Sequence, residues 1–405
     1  MRQVIGAIIL SGCAGAAWAQ SDANTWSTLQ RGLYLTRVGD CAACHSVEGE
    51  EPYAGGLGLP TPFGTIYAAN ITPDNATGLG EWSQDEFYDA MTEGVRPDGK
   101  RLYPAFPYTH FTHVTREDSD AIFTYLNTLD PVRNDVESPE IPFPLNVRTA
   151  MRGWNMLFFD EGKLEPVEDK SEAWNRGRYL AEGLAHCGAC HTPRNMLGAE
   201  KGGNAAYTGG VIEGWFAPSL RGGPGGEGLA DWSEEDLAEF LRHGRNGRSA
   251  AFGPMAEVVE KSTRYLSDED LEAIVAYFKD LPFGEVDGEA AEPVAEDDPA
   301  MTAGAEIYAT QCSACHGPEG EGVAGQFAPI AGSSLAQSSD PTTVVRMILE
   351  GARAVPTEKY PTAQAMPAYH WKLSDEEVAQ VATYVRNAFG NAAPAVSAGT
   401  VADLR

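Results

Sequence analysis

Six of the seven cysteines in this 405-residue chain occur in three copies of one short pattern. Each copy has two cysteines separated by two residues and followed directly by a histidine, as in Cys41-Ala42-Ala43-Cys44-His45. Two thiols one helical turn apart can bond to the two vinyl groups on one porphyrin edge, and the adjacent imidazole can then reach the iron. The pattern is therefore the attachment signature of a c-type haem.

A redox dithiol or half of a zinc site is the alternative interpretation of any single copy. A structural zinc site usually needs a second Cys or His pair nearby, whereas these three copies lie far apart in the chain. We therefore predict three covalently bound haem c groups and no other catalytic constellation. The predicted attachment cysteines are Cys41, Cys44, Cys187, Cys190, Cys312 and Cys315, and the predicted proximal iron ligands are His45, His191 and His316.

Similar sequence surrounds each motif, which indicates one module used three times. A helical stretch precedes each cysteine pair, and a later helix with a Ser or Thr cap closes each module, at Thr115, Ser267 and Ser374. Gly- and Pro-rich loops separate these helices, which need a large apolar body to pack around. We expect a mainly α fold of three tandem class I cytochrome c domains, with short helices and long loops wrapped around covalent haem.

Composition sets the expected domain boundaries. Residues 285–298 are rich in Glu, Asp, Ala and Pro without periodicity, which is typical of a flexible linker. The predicted segments are a signal peptide at 1–19, cytochrome c domains at 20–145, 171–284 and 299–391, a connecting segment at 146–170, an acidic linker at 285–298 and a flexible tail at 392–405.

The first twenty residues have the layout of a secretory signal, with Arg2, an apolar run and the cleavage site Ala17-Trp18-Ala19. Leu10-Ser11-Gly12-Cys13 also resembles a bacterial lipobox, in which Cys13 would carry a lipid anchor. The two processing routes exclude each other, and we prefer cleavage after Ala19 because Cys13 lies unusually early. No later run is long enough to span a bilayer. The mature protein is expected in the periplasm, either soluble or held at the periplasmic face of the inner membrane by another component.

The loop before the last helix of a class I cytochrome usually supplies a methionine as the second axial ligand. This loop contains Met255 in the second module and Met366 in the third, and we predict that both ligate iron. The first module has Phe106 at the corresponding position, and phenylalanine cannot ligate iron.

The substitutes for Phe106 are His110, His113 and Met91, or an iron that is open or water-bound. We favour His110, which lies four residues further on in the same loop. Ligation by two histidines would give the first haem the lowest potential of the three, because imidazole stabilises ferric iron better than thioether does.

Net charge excludes one class of partner. The 58 acidic residues outnumber the 29 basic ones, which gives a formal charge of −29. A field of that sign repels phosphate backbones and anionic lipid, so no nucleic-acid partner is expected. The negative charge favours cationic partners. The alternative is that it only keeps the protein soluble.

Five stretches carry a resemblance to a known family: Thr61–Tyr67, Asn70–Pro73, Leu102–Tyr108, Trp154–Phe159 and His186–Asn195. With the three motifs, they make nearly the whole mature chain similar to the tri-haem cytochrome c subunit of bacterial membrane-associated dehydrogenases. In that family methionine often stands at the place of Phe106. Some members attach to membranes through C-terminal amphipathic segments, which this sequence does not show.

The resemblance implies an electron-transfer subunit with no chemistry of its own. The implied partner is a dehydrogenase catalytic subunit of the PQQ, flavin or molybdenum type, and the implied acceptor is ubiquinone or a terminal oxidase. A peroxidase-like multihaem enzyme is the alternative, with the first haem as an open catalytic site, and Phe106 motivates it.

Overall fold

The computed structural model describes residues 27–222, 228–282 and 292–405. The predicted signal peptide, with Cys13, and residues 285–291 of the predicted acidic linker lie outside this range. The described chain is rich in helices and contains three two-stranded antiparallel hairpins. No helix in these ranges combines the length and the apolar character needed to cross a bilayer.

The helices are short and follow one another closely along the chain. They are α1 (residues 27–38), α2 (Cys41–His45), α3 (Gln84–Glu93), α4 (Tyr108–Phe111), α5 (Arg116–Leu126), α6 (Ala150–Phe158), α7 (Glu172–Arg178), α8 (Gly188–His191), α9 (Glu234–His243), α10 (Gly253–Lys261), α11 (Asp268–Asp280), α12 (Pro299–Gln311), α13 (Ser313–His316), α14 (Thr342–Glu350), α15 (Asp375–Asn387) and α16 (Ala398–Leu404). A π-helical stretch (Tyr179–Leu184) extends α7, and the hairpins pair β1 (Gly58–Thr61) with β2 (Gly64–Tyr67), β3 (Gly210–Ile212) with β4 (Trp215–Ala217), and β5 (Ala352–Arg353) with β6 (Ala365–Met366).

Side-chain caps fix where the longer helices begin. The three caps predicted for the closing helices, Thr115, Ser267 and Ser374, are confirmed, because each hydroxyl accepts a hydrogen bond from a backbone N–H in the first turn. Helices α3, α9 and α15 also have full capping boxes, in which a first-turn carboxylate accepts from the N–H of the capping serine. These contacts satisfy backbone donors that would otherwise lack partners.

The chain repeats one helix crossing three times, and each repeat defines a unit. The first unit contains α1–α5, the second α7–α11 and the third α12–α16. In each unit the helix before the motif crosses a late helix at a glycine. A Cβ added to Gly32, Gly177 or Gly304 would lie 2.1, 1.9 or 2.3 Å from a carbonyl oxygen of α5, α11 or α15, respectively. Only glycine permits these close helix contacts.

The first and second units share one hydrophobic core. Leu35 and Val38 of α1 belong to the same buried cluster as Leu180, Leu184 and Ile274 of the second unit. The third unit has a separate cluster, built mainly from α14, α15 and α16. The described chain is therefore a fused pair of units joined to a third unit with its own core.

A hydrogen-bond set at the boundary ties the second unit to the first. Within the first unit, Arg31 Nε donates to one carboxylate oxygen of Asp118 at 2.7 Å. The hydroxyl of Tyr179, from the second unit, donates to the other oxygen of Asp118 at 2.6 Å. One buried carboxylate therefore joins an arginine of its own unit to a tyrosine of the next.

The same set occurs again with the two units exchanged. Arg176 Nε donates to Asp270 Oδ1 at 2.7 Å within the second unit, and the Tyr34 hydroxyl of the first unit donates to Asp270 Oδ2 at 2.6 Å. Burial alone would raise the pKa of Asp270, but the hydrogen bonds from Arg176 and Tyr34 outweigh it and lower that pKa. The two sets relate the units by an approximate two-fold axis.

The third unit docks on the second through a buried arginine. Arg245, which is 4% exposed, donates to the carbonyl oxygens of Val355 at 3.0 Å and Thr362 at 3.2 Å. Between the same two units, Phe216 of β4 donates through its backbone N–H to the hydroxyl of Thr343, which donates back to the Phe216 carbonyl. Charge-assisted bonds to several backbone acceptors fix this orientation.

The structure contradicts the predicted flexible tail at 392–405. Helix α16 packs on α15 with Val401 fully buried, and the buried Arg386 donates to the Pro394 carbonyl at 2.8 Å. The segment is rich in Ala and small polar residues, which suggests disorder by composition. Val396 and Val401 pack in the core of the third unit, and the Pro394 carbonyl accepts from Arg386, so the segment is held against that unit.

We predict that Asp270→Asn destabilises the fused pair by about 2 kcal/mol or more, because it removes the charge from a largely buried pair. The pKa of Asp270 is lowered on folding, so its contribution is present above the pKa of an unfolded Asp and is lost as pH falls through the folded value. Urea unfolding followed by circular dichroism at neutral and acidic pH measures both effects.

The control is Asp268→Asn on the same helix. Asp268 also pairs with an arginine, Arg242, but its side chain is 88% exposed, so its loss should cost about 0–1 kcal/mol. Equal effects of the two substitutions would contradict the role given to Asp270.

Candidate haem-binding sites

Each cysteine–histidine motif folds as one short helical turn. Helices α2, α8 and α13 hold the three motifs, and none of the described cysteines forms a disulfide. Burial raises the pKa of Cys41 to about 12, of Cys187 to about 12 and of Cys312 to about 11. A redox dithiol reacts through a thiolate, which these raised pKa values disfavour.

The described residues also lack the partners that a zinc site would need. No group of three or more His, Cys, Asp or Glu side chains is arranged to hold a metal ion in the ranges that the structure covers. The motif cysteines and histidine remain together on one turn, as the attachment of a porphyrin requires.

The three motif histidines share one hydrogen bond. Nδ1 of His45 lies 2.6 Å from the Ala69 carbonyl oxygen, Nδ1 of His191 lies 2.7 Å from that of Pro218, and Nδ1 of His316 lies 3.1 Å from that of Ala328. Because a carbonyl only accepts, Nδ1 must donate, and this leaves the lone pair on Nε2. Each imidazole is held in the tautomer and orientation that a metal ligand needs.

The burial of these histidines supports the same role. Burial lowers the pKa of His45, His191 and His316, which keeps each imidazole neutral and able to coordinate. The donor set of two thiols and one oriented imidazole fits haem c at all three motifs. A haem bound there would supply a one-electron ferric–ferrous couple, tuned by its axial ligands and surroundings.

The carbonyl acceptors are functional groups that the sequence analysis missed. Ala69 follows β2 and Pro218 follows β4, so a hairpin carries the acceptor back to the motif in the first two units. The recurrence of short strand pairs after the first two motifs is the signal that a search for repeats could have used.

The predicted distal methionines lie in the expected segments. Met255 is in the first turn of α10, and Met366 is in β6, each between a middle helix and the last helix of its unit. Both are half-buried and pack at the edge of their unit's core. Their ligation of iron stays a prediction.

His110 makes its hydrogen bonds with the second unit. Its Nδ1 is 2.8 Å from the Glu182 carbonyl oxygen, its Nε2 is 3.0 Å from both carboxylate oxygens of Glu200, and its ring lies against Gly188. Burial opposes protonation of His110, but the hydrogen bond and charge of Glu200 outweigh it and raise the pKa. Both ring nitrogens are engaged by the second unit, so the structure does not support His110 as the distal ligand of the first site.

The other substitutes for Phe106 have different surroundings. Nδ1 of His113 is 2.7 Å from the Gly162 carbonyl oxygen. Met91 is buried in α3 and lies three residues before Gly94, which ends that helix. In α9 the residue three positions before the final glycine is Leu241, which is also buried. Met91 is therefore a core residue. Phe106 itself packs against Phe111, with ring centroids 5.3 Å apart.

The first and second motifs lie side by side. A Cβ added to Gly39, two residues before Cys41, would lie 3.1 Å from the Leu184 side chain. His186, just before Cys187, forms a hydrogen bond with the Gly39 backbone. The residues directly before both motifs have positive φ angles, 52° at Asp40 and 38° at His186. The approximate two-fold relation between the units thus extends to the motifs themselves.

Comparison with known proteins places this geometry in a family. The family model for cytochrome c matches residues 30–130 and 301–389, which include the first and third motifs. Over 423 aligned residues, the chain is 41% identical to the gluconate 2-dehydrogenase cytochrome c subunit of Pantoea cypripedii, with 100% of this chain and 95% of that protein covered. The chain belongs to the family of cytochrome c subunits of bacterial dehydrogenases.

Two further members of this family show similar matches. The cytochrome c subunit of alcohol dehydrogenase (quinone) from Gluconacetobacter polyoxogenes is 39% identical, covering 100% of this chain and 90% of that protein. The fructose dehydrogenase cytochrome subunit of Gluconobacter japonicus is 34% identical, covering 93% of this chain and 82% of that protein. The second motif therefore lies within the matched region even though the family model does not reach it.

We predict that Met255→Ala and Met366→Ala each lower one midpoint potential by about 100 mV or more, a fraction of the roughly 0.8 V range that axial ligands set. Loss of a thioether ligand should also remove part of the near-infrared methionine-to-iron absorption. Redox titration with absorption spectroscopy measures both. Met196→Ala is the control because Met196 is 94% exposed; unchanged potentials in the Met255 or Met366 variant would contradict its assignment.

His110→Ala should leave the spin state of every iron unchanged, because both ring nitrogens already have protein partners. Electron paramagnetic resonance of the oxidised protein tests this expectation. A new high-spin signal in this variant would restore His110 as a ligand, and the same signal in His113→Ala would assign that role to His113.

Proposed function

We propose that this cytochrome c subunit carries three haem c groups in three tandem class I domains. In this proposal it accepts electrons from the catalytic subunit of a periplasmic dehydrogenase and relays them to ubiquinone or a terminal oxidase. The observation that carries the proposal is the shared histidine geometry, since each of the three motifs has a neutral imidazole fixed through Nδ1 with Nε2 free.

The relatives support the partner. Their names assign them to dehydrogenases of gluconate, alcohol and fructose, so related cytochrome subunits serve enzymes with different substrates. What these enzymes share is the removal of electrons from a substrate. The proposal accordingly assigns no substrate chemistry to this chain, and its catalytic partner is of the PQQ, flavin or molybdenum type.

The arrangement of the units suits a relay. The shared core and the two buried carboxylates, Asp118 and Asp270, hold the first and second sites at a fixed separation. The docking of Arg245 holds the third unit against the second. Rigid placement keeps haem spacing constant, which is one of the levers that a protein has over electron transfer.

The proposal includes export. A chain that is cleaved after Ala19 enters the periplasm, where c-type haem is attached and where its proposed partner works. Lipidation at Cys13 is the alternative route, and it would tie the protein to a membrane directly.

The test begins with the number of haems. Protein produced with a working c-type maturation system should have an intact mass raised by three haem groups. Replacing both cysteines of one motif by alanine, at each motif in turn, should remove one haem, whereas Cys13→Ala should remove none. A wild-type mass with fewer than three haems would overturn the tri-haem assignment.

The second part of the test identifies the partner. Co-purification from the native membrane should recover a dehydrogenase catalytic chain, and adding that enzyme's substrate should reduce the haem absorption bands of the complex. Recovery of no catalytic chain, or of one whose substrate leaves the bands oxidised, would contradict the proposed electron donor.

A further inference from the structure

A largely buried ion pair between two units lies on the backbone of the second motif. The side chains of His110, from the first unit, and Glu200, from the second, are only 12% and 22% exposed. Nε2 of His110 lies 3.0 Å from both carboxylate oxygens of Glu200. A Cβ added to Gly188, the residue after Cys187, would lie 2.9 Å from Cε1 of His110 and 3.5 Å from Oε2 of Glu200. The pair therefore packs directly against the turn that carries the second motif.

The hydrogen bonds of His110 require a proton on both ring nitrogens. Nδ1 lies 2.8 Å from the Glu182 carbonyl oxygen, which can only accept. Nε2 faces the Glu200 carboxylate, which also accepts from Arg194 at 3.3 Å and is thereby stabilised in its ionised form. Both nitrogens of His110 therefore donate, and the ring is an imidazolium. Burial opposes this charge, but the hydrogen bond and charge of Glu200 outweigh burial and raise the pKa of His110.

Other titratable and charged groups surround His110 on the neighbouring segments; besides Glu200 and Arg194 they are Glu182, Arg178, Tyr277, His186, His113 and Asp160. The Glu182 carboxylate already accepts hydrogen bonds from Arg178 and from the Tyr277 hydroxyl. Burial lowers the pKa of His186 to about 4 and also lowers the pKa of His113, so both rings are neutral at neutral pH. His110 is thus the histidine beside the second motif that holds an added proton.

A cleft connects this ion pair with solvent. The cleft has a volume of about 360 Å³, and its walls include His110, Glu200, the rings of Trp154 and Phe158, and Asp160. Since one water in the liquid takes up about 30 Å³, the cleft has room for several. Water in the cleft can carry a proton to and from the His110 ring without any opening of the fold.

Charges at this position act on the second motif. Arg194 donates to the carbonyl of Ala189, between the two cysteines, at 2.8 Å. Burial raises the pKa of Cys190 to about 11, and the charges of Arg194 and Glu200 shift that pKa in opposite directions. His110 touches the same turn, and water is largely excluded there, so a change in its charge acts strongly on the point where a porphyrin would be attached.

We propose that His110 couples electron transfer at the second haem to the binding of a proton. This coupling rests on the proposed function, because it needs a haem at the second motif. His110 takes up one proton through the cleft when an electron from the dehydrogenase partner reduces the ferric haem to ferrous. His110 releases that proton when the electron passes on and the haem returns to the ferric state. Only an N–H bond forms and breaks, and at most one proton moves with each electron.

The sign of the coupling follows from the charges. The ferric site carries one more positive charge than the ferrous site, and like charges oppose each other, so the pKa of His110 is higher in the reduced protein. Between the two pKa values, a rise in pH removes the proton and makes reduction less favourable. The hydrogen bonds seen at His110 are those of the proton-bound state. A residue of the first unit thereby sets the potential of the second.

The test is redox titration of the haem-loaded protein, without a catalytic partner, between about pH 5 and about pH 10, a range that brackets the ordinary histidine pKa of about 6.5. The wave of the second haem is the one that disappears when Cys187 and Cys190 are both replaced by alanine. Its midpoint potential should be constant at low pH, fall over an interval above about pH 6.5, and become constant again. Reduction in unbuffered solution within that interval should raise the pH, because protons are taken up.

His110→Gln should abolish the fall, because an amide does not bind or release a proton in this range. At low pH this variant should have a lower second potential than the wild type, because one positive charge is missing. Glu200→Gln should move the fall to lower pH by about one unit or more, because His110 loses the carboxylate that stabilises its charged form. Haem absorption spectra and circular dichroism confirm that each variant is folded.

The matched control is His243→Gln. His243 is also a histidine in contact with a second unit, but its ring lies against Tyr360 of the third unit, with centroids 5.9 Å apart. This substitution should leave the curve of the second haem unchanged.

Three results would overturn the coupling. A wild-type second potential that is constant over the whole range would exclude it without reference to any variant. An unchanged fall in His110→Gln would assign the proton to another group, such as a haem propionate. A new high-spin signal in that variant would make His110 an iron ligand instead. A missing second haem, which the intact mass reveals separately, would contradict the proposed function rather than the role of His110 alone.

Discussion

A hydrogen bond from Nδ1 of a histidine to a backbone carbonyl recurs at every motif, and the chemistry of the protein depends on it. An imidazole that is free to rotate would present either nitrogen, or a proton, to an iron atom. The carbonyls of Ala69, Pro218 and Ala328 remove that freedom. Burial adds to this by keeping the rings neutral. The loops that deliver these carbonyls are therefore as much part of each site as the cysteines are.

The three units are alike in local design but unlike in how they are joined. Glycine crossings at positions 32, 177 and 304 recur in each unit because two helices can approach closely only where no Cβ intervenes. The first two units then merge through one core and two exchanged carboxylate contacts. The third keeps its own core and attaches through polar bonds to backbone carbonyls and through a small apolar cluster of Ala251, Val259 and Val355. Three units of similar sequence are thus joined as a fused pair and a third unit with a core of its own.

Local patterns were predictable, and contacts between distant segments were not. The motif helices and the caps at Thr115, Ser267 and Ser374 follow from residues within one or two turns of each other. The hydrogen bonds of His110 were not predictable, because its partners, Glu182 and Glu200, come from another unit and spacing within one loop carries no information about them. The order of the C-terminal segment was missed for the same reason, since its stability comes from packing on α15 rather than from its own composition. No sequence period would reveal the shared core either.

The docking by Arg245 has a consequence for how the sites are connected in space. Because the third unit is bonded to the second, and the second is fused to the first, the middle unit bridges the two ends of the molecule. In the proposed relay, the position of the second unit would therefore set its distance to both of the other units. A change that displaces the second unit would alter both connections at once, whereas a change in the first or third unit would alter one.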